Sequence, residues 1–121
     1  MGRFEELDVW KRSCRLSVEL YKHLGRCNNL SCRDQVTRAG LSIASNIAEG
    51  FERESRAELL RYLRIAKGSC GEVRTQLLIG IEANLLPWET GQALVSECYT
   101  GFPYVRWAYK VQKFATPPIV R

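Results

Sequence analysis

Histidine is almost missing from this sequence: the 121 residues contain only one, His23. Imidazole is the side chain that most often serves as a general base near neutral pH, so hydrolytic chemistry has little to work with here. The sequence also lacks a glycine-rich phosphate loop, a nucleophile elbow and an HExxH zinc-protease motif. We therefore predict that the protein is not an enzyme and uses no cofactor.

Long apolar runs are missing as well. No stretch approaches the roughly 20 apolar residues that are needed to cross a bilayer. Residues 1–13, MGRFEELDVWKRS, mix acids with bases where a signal peptide would have an apolar core. The five cysteines are an odd number without the spacing of a disulfide scaffold, which favours a reducing compartment. We expect a cytoplasmic protein with no membrane partner.

What the sequence does contain is an ordinary globular composition with helical periodicity. Hydrophobic residues make up 45% and charged residues 26% of the chain, values that argue against wholesale disorder. Few segments alternate strictly, so we expect no strands. We predict a single all-α domain over residues 1–121, an antiparallel up-and-down four-helix bundle. Its helices are predicted at about 5–24, 32–49, 56–84 and 88–114.

Apolar residues at three- and four-residue steps indicate the core face of each of the first three helices. The stripe of the first helix comprises Leu7, Trp10, Cys14, Val18, Tyr21 and Leu24. The stripe of the second helix comprises Val36, Gly40, Ile43 and Ile47. The stripe of the third helix comprises Leu59, Leu63, Ala66, Cys70, Val73, Leu77 and Ile81.

Local signals set the predicted helix ends. Ser31 is expected to cap the second helix, with Asp34 as a weak capping-box partner. Gly50 is expected to end that helix, because glycine tolerates the left-handed conformation found at helix C-termini. Residues 55–58, SRAE, form a capping box for the third helix. The segment Gly101–Pro103 lies inside the fourth helix and predicts a kink or a split there.

The second predicted helix is apolar or small over more of its circumference than one bundle requires. Beyond its core stripe it also carries Leu41, Ala44 and Ala48. A helix in an isolated bundle buries one stripe, so we expect the surplus to lie against another copy of the chain.

Polar residues at helical spacing accompany the core stripe of the second helix: Arg38, Ser42, Asn46 and Glu49. We interpret them as a buried hydrogen-bond network that fixes helix register, with Glu72 of the third helix pairing across the bundle. The alternative is a catalytic site in which Asn46 orients Glu49 as a general base. The sequence places no histidine or second acid beside Glu49, which disfavours that alternative.

A histidine and two cysteines surround the first predicted turn. His23, Cys27 and Cys32 follow the pattern H-x3-C-x4-C, whereas a zinc site takes four ligands and has closer cysteine pairs. We interpret the three as structural side chains and predict no metal, although the sequence leaves the metal alternative open.

Basic residues form stripes on three helices in a chain whose net charge is +5. They are Arg56, Arg64, Lys67 and Arg74 on the third helix, Arg106, Lys110 and Lys113 on the last, and Lys11, Arg15 and Lys22 on the first. One interpretation is a solvated face, which every surface helix needs. The other is a surface that contacts nucleic-acid phosphates, with stacking from Trp88, Trp107 and Tyr109.

Three segments carry a resemblance to a known family. They are FEELDVW at 4–10, SIASNIAEGFER at 42–53 and LRIAKGSCGEVRTQL at 63–77. Through them the chain resembles the four-helix-bundle proteins that are encoded in intervening sequences of 23S ribosomal RNA genes. The resemblance covers about residues 4–86. Cys70 departs from the leucine that is more usual after GS, and Gly101–Pro103 interrupts a final helix that is normally continuous.

The resemblance implies an antiparallel bundle that assembles into a ring-like homopentamer, with no established enzymatic activity. It also implies a similarity in fold to the accessory protein of diversity-generating retroelements, which binds nucleic acid and a reverse transcriptase. We therefore expect a non-enzymatic homo-oligomer that binds RNA or DNA through basic surfaces. The alternative is a scaffold that binds another protein, its positive charge serving solubility alone.

Overall fold

The computed structural model describes residues 2–101, 108, 110 and 111. A 3₁₀ turn precedes four α-helices in this part of the chain, which contains no strand. The turn is Phe4–Glu6, and the helices are α1 (Asp8–Leu24), α2 (Leu30–Glu52), α3 (Arg56–Glu82) and α4 (Trp88–Thr100). The prediction of an all-α protein with four helices is confirmed.

Helices that are consecutive in sequence are neighbours in space. α2 packs against α1 and α3, and α4 packs against α3 and more lightly against α1. The connections are only a few residues long, so consecutive helices run antiparallel. α1 and α3 therefore occupy opposite corners of an up-and-down bundle, and the α1–α2 and α3–α4 turns lie at the same end. No helix in the described part of the chain is long and apolar enough to span a membrane.

The core stripes that the sequence predicts for α2 and α3 are confirmed. Ile43 and Ile47 of α2, and Leu59, Leu63 and Val73 of α3, are completely buried. The leucines recur through the whole of α3, so one continuous apolar face binds the rest of the bundle. Beyond α4, Ala108 and Val111 are also buried in this core.

The predicted stripe of α1 is wrong in part, because Val18 is 51% and Tyr21 50% exposed. The buried face of α1 comprises Ser13, Leu16, Ser17, Leu20 and Leu24. Serine counts as polar in a periodicity argument, but Ser13 satisfies its hydroxyl locally by donating to the Trp10 carbonyl at 2.7 Å. A small side chain whose hydrogen bond is internal to the helix fits into the core at little cost.

Gly50 does not end α2, contrary to the prediction. The helix continues to Glu52, and the left-handed residue in the following turn is Glu54, with φ of 53°. Gly50 is instead a point of close approach between α2 and α3. A Cβ atom at this position would lie 2.7 Å from Cβ of Tyr62 and 3.3 Å from the carbonyl oxygen of Leu59.

The start of α2 also differs from the prediction. Its N-cap is Asn29, whose side-chain oxygen accepts a hydrogen bond from the Cys32 amide at 2.9 Å, while Ser31 lies inside the first turn. The cap predicted for α3 is present, since the Ser55 hydroxyl accepts from the Glu58 amide at 3.3 Å.

The C-terminal part of the predicted fourth helix lies mostly outside the described residues. α4 ends at Thr100, and the C-cap is Gly101. Residues 102–107 are not among those that the structure describes, so the kink or split at Gly101–Pro103 stays a prediction.

Candidate nucleic-acid interface

The basic stripe of α3 lies on the flank of that helix that faces α4. At 100° per residue, Arg56, Lys67 and Arg74 fall within about 20° of one another, and Arg64 lies about 80° from Arg56. Arg74 contacts α4 directly, through the ring of Tyr99. The stripe is therefore one edge of the α3–α4 side of the bundle.

Toward α2, about 60° around α3 from Arg64, lies an arginine that is neutralised. Arg61 donates two hydrogen bonds to the Glu58 carboxylate, at 3.1 and 3.3 Å. Across the turn, Arg53 binds the Glu49 carboxylate at 3.0 Å and the hydroxyl of Tyr62 at 2.8 Å. This flank carries compensated charge and is a poor surface for an anion.

The basic stripe has a different electrostatic setting. Neither Arg56 nor Arg64 forms a salt bridge with any residue that the structure describes, and both are exposed. Lys67 is exposed too, and it has an interaction partner. Uncompensated arginines on a helix flank produce a positive potential that reaches beyond contact distance.

Arg74 differs from the other members of the stripe because it is half-buried and packs on an aromatic ring. Its guanidinium carbon lies 4.7 Å from the ring centroid of Tyr99 on α4, a cation–π contact. A Cβ atom on Gly71 would come 3.7 Å from the Arg74 guanidinium, so the arginine folds back over that glycine. Tyr99 was not predicted as a candidate. Its position eleven residues after Trp88, about three helical turns, is the signal that could have identified it.

The second predicted stripe is described only in part. Lys110 is exposed and next to the buried Val111, whereas Arg106 and Lys113 lie outside the described residues. The basic stripe of Arg106, Lys110 and Lys113 on the last helix therefore stays a prediction.

The bases of α1 do not add to the α3 stripe. Lys22 pairs with Glu19 at 3.7 Å, and α1 stands at the corner opposite α3. Arg12 turns toward α4 and makes a bidentate pair with Glu97 at 2.8 and 3.0 Å. The hydrogen bonds that Arg12 donates to Glu97 raise the pKa of Arg12.

The polar residues of α2 are only partly brought together. Asn46 donates to the carbonyl and the hydroxyl of Ser42, at 2.7 and 2.9 Å. Ser42 in turn shares a hydrogen bond of 2.8 Å with Ser69, a buried residue of α3 that the sequence analysis did not include. This small cluster links α2 to α3 and fixes their register.

The other predicted members of the network lie on the surface. Arg38 and Glu72 are exposed, and the Glu49 side chain is 52% exposed and bound to Arg53. Glu49 and His23 are near opposite ends of the bundle, and His23 pairs with Glu19 at 3.3 Å. The described residues therefore do not bring His23 and Glu49 together.

The thiols form no metal centre within the described residues. No group of three or more histidine, cysteine, aspartate or glutamate side chains in that part of the chain could hold a metal ion. Burial and the proximity of Cys27 raise the pKa of Cys32, so it remains a thiol at neutral pH. Cys70 donates to the carbonyl oxygen of Cys98 at 3.5 Å in the α3–α4 contact. The hydrogen bond with Cys70, together with burial, raises the pKa of Cys98.

Comparison with protein families matches residues 5–100 to the family described as 23S rRNA-intervening sequence protein. The match covers all four helices of the bundle. No curated protein matches the chain.

Proposed function

The chain belongs to the 23S rRNA-intervening sequence protein family, and from this premise we propose that it is a non-enzymatic, homo-oligomeric bundle that binds RNA or DNA through its basic side. The observation that carries the proposal is the uneven neutralisation of α3. Arg61 is held by a carboxylate of its own helix, whereas Arg56 and Arg64 have no carboxylate partner among the described residues. A cation without a carboxylate partner is available to neutralise a nucleic-acid phosphate, and this releases counterions that are condensed on the nucleic acid.

The oligomer is supported by the α1–α2 side of the bundle. Tyr21 is 50% and Leu41 48% exposed, and both line one shallow depression between these helices. Neighbouring apolar side chains that are half-exposed favour an interface with a second copy of the chain. The resemblance implies a ring of five copies, which would multiply weak contacts with a polyanion through effective concentration.

The test is a salt titration of binding to RNA and DNA with two matched variants, Arg64→Gln and Arg61→Gln. Each removes one positive charge from α3, less than one helical turn apart. We expect Arg64→Gln to lower affinity and to reduce the slope of log K against log salt by about one unit. Arg61→Gln leaves the slope unchanged, because its charge is already compensated by Glu58.

Light scattering on the same samples gives the oligomeric state. A monomer at tens of micromolar would contradict assembly. Absence of binding at physiological ionic strength would contradict the nucleic-acid role and favour the protein-interaction scaffold. Equal slopes for the two variants would contradict the assignment of the surface to the basic stripe.

A further inference from the structure

The α3–α4 side of the bundle combines cations with aromatic rings. We call the surface formed by Arg64, Lys67, Arg74, Trp88 and Tyr99 the α3–α4 face. The contact between Arg74 and Tyr99 shows that the basic flank of α3 and the aromatic flank of α4 lie side by side. Trp88 lies about 20° around α4 from Tyr99 and about 16 Å along it, so both rings belong to the same flank.

Acidic side chains of the two helices point elsewhere, apart from one at the end of α3. Glu72 lies about 160° around α3 from Arg74, and Glu58 is bound to Arg61 on the α2 side. On α4, Glu89 and Glu97 line the groove with α1. Glu82, in the last turn of α3, lines a shallow depression together with Trp88, so a carboxylate lies at the Trp88 end of the face. Between Arg56 and Leu78, none of the residues that the structure describes places a carboxylate on the face.

The two aromatic rings of the face are exposed to solvent. Tyr99 is 60% and Trp88 64% exposed. Arg74 fixes the orientation of the Tyr99 ring from one side, so the ring is presented and does not fold against the helix. A nucleic-acid strand carries phosphates and flat bases, and it binds surfaces that combine cations with exposed aromatic rings.

We propose that the α3–α4 face binds single-stranded nucleic acid, with phosphates along the arginines of α3 and a base stacked on Tyr99. The inference rests on the proposed function and narrows it to strands whose bases are unpaired. In a duplex the base faces are hidden by their neighbours, so a convex helical surface reaches only phosphates. A single strand exposes both the phosphates and the rings that Tyr99 and Trp88 can stack on.

The experiment compares strands that have the same phosphates but differ in their bases. Fluorescence anisotropy would measure binding of full-length protein to an oligothymidylate of about 12 nucleotides, to a strand of the same length without bases, and to a duplex. We expect wild-type protein to bind the oligothymidylate most tightly. Tyr99→Leu should weaken that binding by about 5- to 150-fold, the loss of one stacked base, and leave binding to the abasic strand unchanged.

Two controls separate stacking from other effects. Tyr99→Phe keeps the ring and should retain wild-type affinity. Ile79→Ala removes an apolar side chain of similar exposure that lies about 140° around α3 from Arg74, and it should have no effect on any strand. Circular dichroism would verify that each variant keeps its helices. An RNA strand of matched sequence shows whether the 2′-hydroxyl contributes.

The outcomes distinguish this inference from the proposed function. If wild-type protein binds all strands in a salt-dependent way and Tyr99→Leu changes none of them, the inference is overturned and the proposed function stands. The same holds if Tyr99→Leu weakens the abasic strand as much as the oligothymidylate. If no strand binds at physiological salt, both are overturned.

Discussion

Two glycines in the helices, Gly50 and Gly68, should respond in opposite directions to the same substitution. A Cβ atom on Gly68 of α3 would have no neighbour within 4 Å. A Cβ atom on Gly50 of α2 would lie 2.7 Å from Cβ of Tyr62 and 3.4 Å from Cα of Leu59. Those atoms belong to the α3 backbone or are fixed to it, so no side-chain rotation relieves the contact.

The magnitudes follow from two opposing effects. Replacing glycine with alanine in a helix interior stabilises the fold by about 0.5–1 kcal/mol, because the unfolded chain loses conformational freedom. At Gly68 this gain stands alone. At Gly50, in the last turn of α2, the gain is at most as large, and separating two packed helices costs about 1–3 kcal/mol. We therefore expect Gly68→Ala to be more stable than Gly50→Ala by about 1–4 kcal/mol.

Urea unfolding followed by far-ultraviolet circular dichroism measures this difference. All three proteins must be compared at one protein concentration, since assembly shifts apparent stability by mass action. Equal midpoints for the two variants would refute the close approach of α2 and α3 at Gly50. A loss of stability or a change of mass in Gly68→Ala would show instead that Gly68 contacts another copy.

Two further predictions concern caps and ion pairs. Asn29→Ala should destabilise the protein by about 1 kcal/mol through loss of the α2 N-cap, while Asn28→Ala at the exposed neighbouring position should be neutral; chemical denaturation of both would test this. The hydrogen bond from Arg61 lowers the pKa of Glu58 below its usual value of 4.5, so the pair stabilises the fold above that pH, and its contribution is lost as the pH falls through the lowered pKa. Unfolding midpoints of wild type and Arg61→Gln should therefore converge below pH 4.5, and a constant gap would contradict the pairing.

The long helices of the bundle were predictable because their apolar periods are unambiguous. α3 carries one apolar residue on its core face at every turn, and the structure buries those residues. α1 is different because apolar residues occupy two faces about 150° apart, one with Leu16 and Leu20 and one with Val18 and Tyr21. Periodicity alone cannot choose between such faces, since the choice depends on where the neighbouring helices lie.

Misplaced helix ends have a related cause. Glycine both ends helices and permits close packing, and the sequence does not reveal which role Gly50 has. Asn29 and Ser31 are both good N-caps, and only the backbone geometry selects Asn29.

The sequence predicts those parts of the candidate site that depend on spacing within one helix. It does not predict contacts between side chains of two helices. The spacing of Arg56, Arg64, Lys67 and Arg74 places them on one flank of α3 without any knowledge of the partners. Recognising Ser69 as the partner of Ser42, or Tyr99 as the partner of Arg74, requires the register between neighbouring helices. A single sequence does not contain that register.

The unequal packing of the four helices has a kinetic consequence. α2 and α3 share the most extensive contact in the bundle and are joined by the three residues 53–55, so their pairing closes a very short loop. The link between α1 and α4 joins Arg12 to Glu97, 85 positions away. We therefore expect the α2–α3 hairpin to form the folding nucleus and α4 to open first. Amide hydrogen exchange is therefore expected to be faster in α4, which carries Tyr99, than in α2 and α3.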